Sequence, residues 1–156
     1  MIEIAIPGDR DYQLRYLVLD YNGTLAVDGY LIKGVKRRLC TLSPKIEIHV
    51  VTADTFGRAE RGLKKIPCEL SLLPFMDQAR RKAEYIERLG RKQVVCIGNG
   101  RNDLEMMKRA GLGIAVIQTE GACALSVQSA DIVCCSIIDA LDLLLNPKRI
   151  IAVKRK

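Results

Sequence analysis

The chain has 156 residues, 49% of them hydrophobic, with 25 Lys and Arg against 18 Asp and Glu for a formal charge of +7. That length suits one domain, 1–156, and the N-terminus carries no basic segment followed by a long apolar run, so no signal peptide or membrane span is expected and the cytoplasm is the expected location. The positive charge favours anionic partners, but aromatics make up only 4% and no nucleic-acid motif is present, so a base-stacking interface is not expected.

Residues 2–6 alternate weakly and stop at Pro7-Gly8, which predicts an edge strand and a turn. Residues 16–19 form a short apolar run that ends abruptly at Asp20, followed by Asn22, Gly23 and Thr24. This is the pattern of a buried strand with a carboxylate at its exit, and ligands of parallel α/β sheets bind beyond that end of the strands. Asp28-Gly29 between apolar residues predicts a β-hairpin just beyond. A basic helix over 35–41 is broken by Ser43-Pro44, and a strand over 46–51 exits into Thr52-Ala53-Asp54. His49, the only histidine, lies inside that strand and reads as a packing or surface residue without a role.

A helix over 56–65, a strand over 68–73 and a helix over 77–89 stopped by Gly90 follow. A buried strand over 94–97 runs into Gly98-Asn99-Gly100-Arg101-Asn102-Asp103 and a helix over 104–110. The pattern then gives a strand over 113–117, a helix over 120–129, a short strand over 132–134 and a last helix over 137–145 before Asn146-Pro147. Regular alternation of strand and helix implies a parallel sheet with right-handed crossovers. The six cysteines form no C-x-x-C pair and read as reduced thiols, with Cys134 and Cys135 facing opposite ways at a strand end. The clusters Lys36-Arg37-Arg38, Arg80-Arg81-Lys82 and Lys154-Arg155-Lys156 read as solvated helix faces and a frayed tail.

Three strand exits thus carry polar residues toward one edge of the sheet: Asp20 with Asn22 and Thr24, Thr52 with Asp54, and Asn99 with Asn102 and Asp103. Lys82 adds a cation from the helix before the strand over 94–97. In this order they resemble the four motifs of the haloacid dehalogenase (HAD) superfamily of phosphotransferases, over nearly the whole chain. Within it the chain is most similar to the phosphorylation domain of P-type ATPases and to small soluble P-type ATPase-like proteins, with Val51-Thr52-Ala53-Asp54 and Gly98 to Asp103 matching the pump segments. The pumps' membrane helices have no counterpart, so ion transport by this chain alone is not expected.

The resemblance implies an α/β, Rossmannoid three-layer sandwich with a β-hairpin flap and no cap domain, acting as a Mg²⁺-dependent phosphatase or phosphotransferase. Asp20 would be the nucleophile forming an aspartyl-phosphate, with Thr52 and Lys82 as the other catalytic residues. Gly23, Thr24 and Asn102 would bind substrate, and Asp20, Asn22, Asn99 and Asp103 would hold the metal, Asp103 largely from outside the coordination sphere. Two positions depart from the pattern: Asn22 replaces the usual general acid and base, and Asn99 replaces a metal-binding aspartate. Slow turnover is therefore expected, and a non-catalytic or regulatory module binding phosphate or a phosphoprotein is the alternative. The expected partner is a small phosphorylated substrate or a phosphorylated macromolecule, and an open site could be covered by association of subunits.

Overall fold

The computed structural model describes residues 1–54 and 57–156. Its strands are β1 (Ile2–Ile4), β2 (Tyr12–Leu14), β3 (Tyr16–Leu19), β4 (Ala26–Val27), β5 (Tyr30–Leu31), β6 (Glu47–Thr52), β7 (Glu69–Leu72), β8 (Val94–Gly98), β9 (Leu112–Val116) and β10 (Ile132–Cys134). Its helices are α1 (Val35–Leu42), α2 (Arg58–Gly62), α3 (Gln78–Leu89), α4 (Leu104–Arg109), α5 (Ala124–Ser129), α6 (Ile137–Leu145) and α7 (Lys148–Lys154).

The apolar run of β3 is covered on both faces, and β3 lies inside a six-stranded sheet of order β10-β9-β8-β3-β6-β7. Every pairing in that sheet is parallel. From β3 the chain moves outward to β6 and β7, then crosses back to β8 on the other side of β3 and continues to β9 and β10. This reversal opens a crevice at the C-terminal ends of β3 and β8, where such sheets bind ligands.

Alternate residues of each strand feed two separate cores. Leu17, Leu19, Val50, Val95 and Ile97 pack with Val35 and Leu39 of α1 and Leu141 and Leu144 of α6. Val18, Val51 and Cys96 pack on the other face with Ile86 of α3 and Met106 and Met107 of α4. Each fully buried side chain of this kind contributes about 1.5–3 kcal/mol of transfer free energy, so the two cores hold the helices as layers on either side of the sheet. The architecture is the expected three-layer sandwich.

Beyond β3, β4 and β5 pair as Ala26↔Leu31 and Val27↔Tyr30. Their two-residue turn has φ of 52° at Asp28 and 83° at Gly29, the mirror-image geometry that matches the twist of a hairpin. Only this flap and α1 stand between β3 and β6, and among the described residues only α2 and β7 stand between β6 and α3. Neither interval carries an inserted lid.

The structure revises several sequence expectations. The N-terminal strand is not an edge of the main sheet but pairs with β2 in a two-stranded antiparallel ribbon, Ile2↔Leu14 to Ile4↔Tyr12, whose apolar side joins the first core. The three residues of β2 are too few to show a period. α7 follows Pro147, because proline is tolerated at a helix start. Lys154 is therefore not frayed: its Nζ lies 3.2 Å from Asp131 and 3.6 Å from Asp9. Nor is Arg38 merely solvated, since it pairs with Asp142 at 2.7 and 2.9 Å and joins α1 to α6. The helix expected over 56–65 is observed as Arg58–Gly62, and its expected first residue, Phe56, lies outside the described residues. All six cysteines are free, with Cys134 buried and Cys135 exposed. Among the described residues, no helix is long and apolar enough to cross a membrane.

Candidate active site

Register brings three strand ends to the same level. Leu19 pairs with Val50 on one side and Ile97 on the other, so Asp20 stands level with Val51 and Gly98, and Thr52 and Asn99 each lie one residue further on. The Asp20 N–H extends the ladder by donating to the Ile97 carbonyl at 3.1 Å. The Asp20, Thr52 and Asn99 side chains are all buried.

Lys82 comes from α3. Of the basic run, Arg80 pairs with Glu84 at 2.8 Å on the exposed face, whereas Lys82 shares the inward face with Tyr85 and Ile86 and is 1% exposed. Spacings of three and four residues put it on one helix face with Tyr85 and Ile86, turned away from the exposed Arg80 and Arg81. Its Nζ donates to Asp20 Oδ1 at 2.6 Å and to Asp103 Oδ1 at 2.7 Å. The expectation of a solvated face at this position is thereby corrected for Lys82.

Asp103 is fully buried and has both oxygens engaged. Its Oδ2 accepts the backbone N–H groups of Asn99 (3.0 Å) and Gly100 (2.9 Å), while Oδ1 takes Lys82. It shapes the turn after β8 and holds Lys82. A Cβ on Gly98 would stand 2.5 Å from Asp103 Oδ2, so this strand end requires glycine for the carboxylate to approach.

On the other side of Asp20, the Thr24 hydroxyl lies 3.4 Å from Asp20 Oδ2 and 3.2 Å from Asn99 Oδ1. Asn99 is oriented by donating its amide to the Gly121 carbonyl at 3.0 Å, which leaves Oδ1 turned toward Thr24 and Asp20. Gly23, at φ 76°, passes so close that a Cβ there would lie 2.4 Å from the Asn99 amide nitrogen. The Asn22 side chain is exposed beside the flap. Asn102 stands apart from Asp20 in its bonding: its amide donates to Gln78 Oε1 at 2.8 Å, beside a depression of about 480 Å³ that Phe75 and Arg101 help to line. Asp54 serves α2, its carboxylate accepting the Ala59 N–H at 2.7 Å.

Two supporting residues escape motif reading. Gln118, just past β9, donates to the Gly23 and Thr24 carbonyls at 2.9 and 2.7 Å and accepts the Ile137 N–H at 2.8 Å, tying the loop after Asp20 to α6. Ser126 on α5 donates to the Gly100 carbonyl at 2.7 Å. The one signal for Gln118 was its place at another strand exit.

The charges do not balance within the protein. Burial raises the Asp20 pKa, the Asp103 charge raises it further, and Lys82 opposes both only in part, leaving it at about 6. For Lys82, burial alone would lower the pKa, but the two carboxylates overcome it and keep the ammonium protonated. One cation thus serves two buried carboxylates, and a residual negative charge remains. Asp20 Oδ2 and Asn99 Oδ1, hard oxygens on the side away from Lys82, complete a donor set that fits a small divalent cation.

A family model described as haloacid dehalogenase-like hydrolase matches residues 78–123, the span from α3 and Lys82 through the Asn99–Asp103 turn. Over these residues, less than a third of the chain, the protein is similar to that family. A HAD superfamily (subfamily III A) hydrolase from Legionella pneumophila superposes on it with a TM-score of 0.73 at 17% identity, covering 90% of this chain and 87% of the other. The 3-deoxy-D-manno-octulosonate 8-phosphate phosphatase of Moraxella catarrhalis, solved with magnesium, phosphate and its sugar, gives a TM-score of 0.73 at 16% identity and 90% coverage of both chains. These two similarities establish the HAD fold. Over 64 residues the chain is also 52% identical to an uncharacterised protein of Methanocaldococcus jannaschii, a match spanning 41% of this chain and 69% of that protein.

Proposed function

We propose that this protein is a HAD-type, Mg²⁺-dependent phosphatase or phosphotransferase whose nucleophile is Asp20. The carrying observation is the buried Asp20–Lys82–Asp103 triad, in which Lys82 contacts both carboxylates at 2.6 and 2.7 Å. Asp20 and Asn99, with the Asn22 backbone, would hold the cation, which supplies positive charge to the equatorial phosphoryl oxygens. The magnesium and phosphate found with the Moraxella phosphatase support that choice of ion.

The reaction assigned to these residues has two displacements. An oxygen of Asp20 attacks phosphorus as the P–O bond to the leaving group breaks, giving an aspartyl-phosphate and an alkoxide that takes its proton from solvent. Water, or an acceptor hydroxyl in a transfer reaction, then attacks the same phosphorus, and the Asp20 carboxylate departs. Lys82 neutralises charge beside the attacking oxygen, and Thr24 and Thr52 hold phosphoryl oxygens. Asn22 neither donates nor accepts the transferred proton, so both steps forgo a factor of about 10²–10⁴. Phosphate donors with good leaving groups, such as acyl phosphates, suffer least.

The absence of an inserted lid leaves the substrate class broad, and a small phosphorylated molecule or a phosphorylated macromolecule could reach Asp20. Hydrolysis of p-nitrophenyl phosphate and acetyl phosphate with Mg²⁺ tests the proposal. Activity should be lost in Asp20→Asn and on chelation; equal activity in that variant would overturn it.

A further inference from the structure

We infer that a second, separate metal site exists on the chain, formed by Glu47, His49 and Glu69 and suited to a divalent transition ion such as Zn²⁺. Glu47 and His49 are two residues apart on β6 and share its α3 face, and His49 is paired across the strands with Glu69 of β7. One ligand atom from each of the three lies within 4.8 Å of the others. The His49 ring is 3% exposed, whereas the two carboxylates are 62% and 60% exposed, so the group opens to solvent from a buried base.

The hydrogen bonds around His49 decide which nitrogen is free. The Tyr85 hydroxyl oxygen lies 2.9 Å from His49 Nδ1, 3.1 Å from Ser71 Oγ and 3.2 Å from Glu69 Oε1. The Glu69 carboxylate has no proton to give, so the single Tyr85 proton goes to Glu69. Ser71 then donates to the Tyr85 oxygen, and Nδ1 must donate as well. That assignment puts the imidazole proton on Nδ1 and leaves a lone pair on Nε2.

Nε2 is buried without a hydrogen-bond partner among the described residues, yet Glu47 Oε1 lies 3.2 Å away. With the proton on Nδ1, both of these atoms are acceptors. For ligands about 2.0–2.1 Å from one tetrahedral ion, the nitrogen–oxygen separation is about 3.3 Å, so this spacing is that of two ligands on one metal. The Nδ1–H···Tyr85 bond supplies the outer contact that fixes tautomer and ring orientation in metal-binding histidines. A mixed nitrogen and carboxylate set selects ions of the zinc, cobalt and nickel class over Mg²⁺. Glu69 stands on the Nδ1 side of the ring, its Oε1 taken by Tyr85 and its Oε2 3.7 Å from Nδ1, and as a side chain whose ligand atom lies within 4.8 Å of the other two it would supply the third ligand, with water at the remaining position.

The site uses none of the residues assigned to phosphoryl transfer. It does lie near them: His49 is level with Val18, two residues before Asp20, and Tyr85 is one helical turn from Lys82.

Because the chain has a single histidine, its imidazole nitrogens give one unambiguous set of NMR signals. On titrating metal-free protein with Zn²⁺, ¹H–¹⁵N spectra should show Nε2 moving to a metal-bound shift while Nδ1 stays protonated. Glu47→Gln and Glu69→Gln, isosteric changes at exposed positions, should each weaken this response at least tenfold, and Asp20→Asn should leave it intact. His49 nitrogens unmoved at millimolar Zn²⁺, or moved in the two glutamine variants at the same Zn²⁺ concentration as in the parent, would overturn the inference.

Discussion

Asp20 should report its burial through stability before any substrate is added. In the metal-free protein its pKa is raised from 3.8 to about 6, chiefly by burial and then by Asp103. At about 1.4 kcal/mol per unit, the ionised carboxylate disfavours the native state by about 3 kcal/mol relative to the neutral acid. Since the folded pKa is the higher one, the native state keeps its proton longer than the unfolded chain. The stabilisation from the neutral acid is fully present below 3.8 and is lost as pH rises through about 6. Asparagine at the same place never ionises. Between about pH 4.5 and pH 7.5, Asp20→Asn should gain about 2 kcal/mol over the parent, measured as the change in their stability difference by urea unfolding in EDTA. Comparing two pH values cancels the constant effect of replacing an acid by an amide. Mg²⁺ should narrow the gap at the higher pH by stabilising the charged Asp20 of the parent. A difference that stays flat with pH, or moves the other way, would refute the electrostatic reasoning.

Lys82→Met should destabilise the fold by about 3–5 kcal/mol, because Asp20 and Asp103 would be left buried without their shared cation; a loss under about 1 kcal/mol in urea unfolding would contradict the triad. Gly23→Ala should cost about 1–2 kcal/mol from its left-handed backbone. It should also push Asn99 aside, seen as a higher Mg²⁺ concentration for half-maximal activity, and an unchanged Mg²⁺ dependence would argue against Asn99 Oδ1 as a ligand. Asn22→Asp should raise turnover of phenyl phosphate by about 10²-fold or more while changing acetyl phosphate little, since only the poorer leaving group needs a proton. Equal effects on both substrates would show that the missing acid is not limiting.

Much of this site was legible because its parts lie at strand exits, where a short apolar run stops at a polar residue. Asp20, Thr52 and Asn99 could be placed from that signal, and the parallel register brings them level. The Asp28-Gly29 turn was legible from local backbone chemistry alone. Lys82 was ambiguous in sequence, because Arg80 and Arg81 beside it suggest a surface run; only packing of α3 against the sheet turns one of the three inward. Gln118 offered no signal beyond its place at a strand exit, since an amide that serves two loop carbonyls and a helix N–H needs no recurring motif. His49 is buried, as its reading as a packing residue allowed, but its surroundings were hidden for a related reason. Its neighbours Glu69, Ser71 and Tyr85 come from β7 and α3, and a strand pattern in β6 carries no information about them. The β1–β2 ribbon and α7 were missed because three-residue strands have no measurable period and Pro147 looked like a terminator.

The most direct test of the central claim is to trap the covalent intermediate. Incubation with acetyl phosphate and Mg²⁺, acid quenching and peptide mass spectrometry should find one added phosphoryl group on the peptide containing Asp20. Neutral hydroxylamine should remove it, as expected of an acyl phosphate, and Asp20→Asn should never acquire it. Phosphorylation at another residue, or persistence of the modification in Asp20→Asn, would contradict Asp20 as the nucleophile.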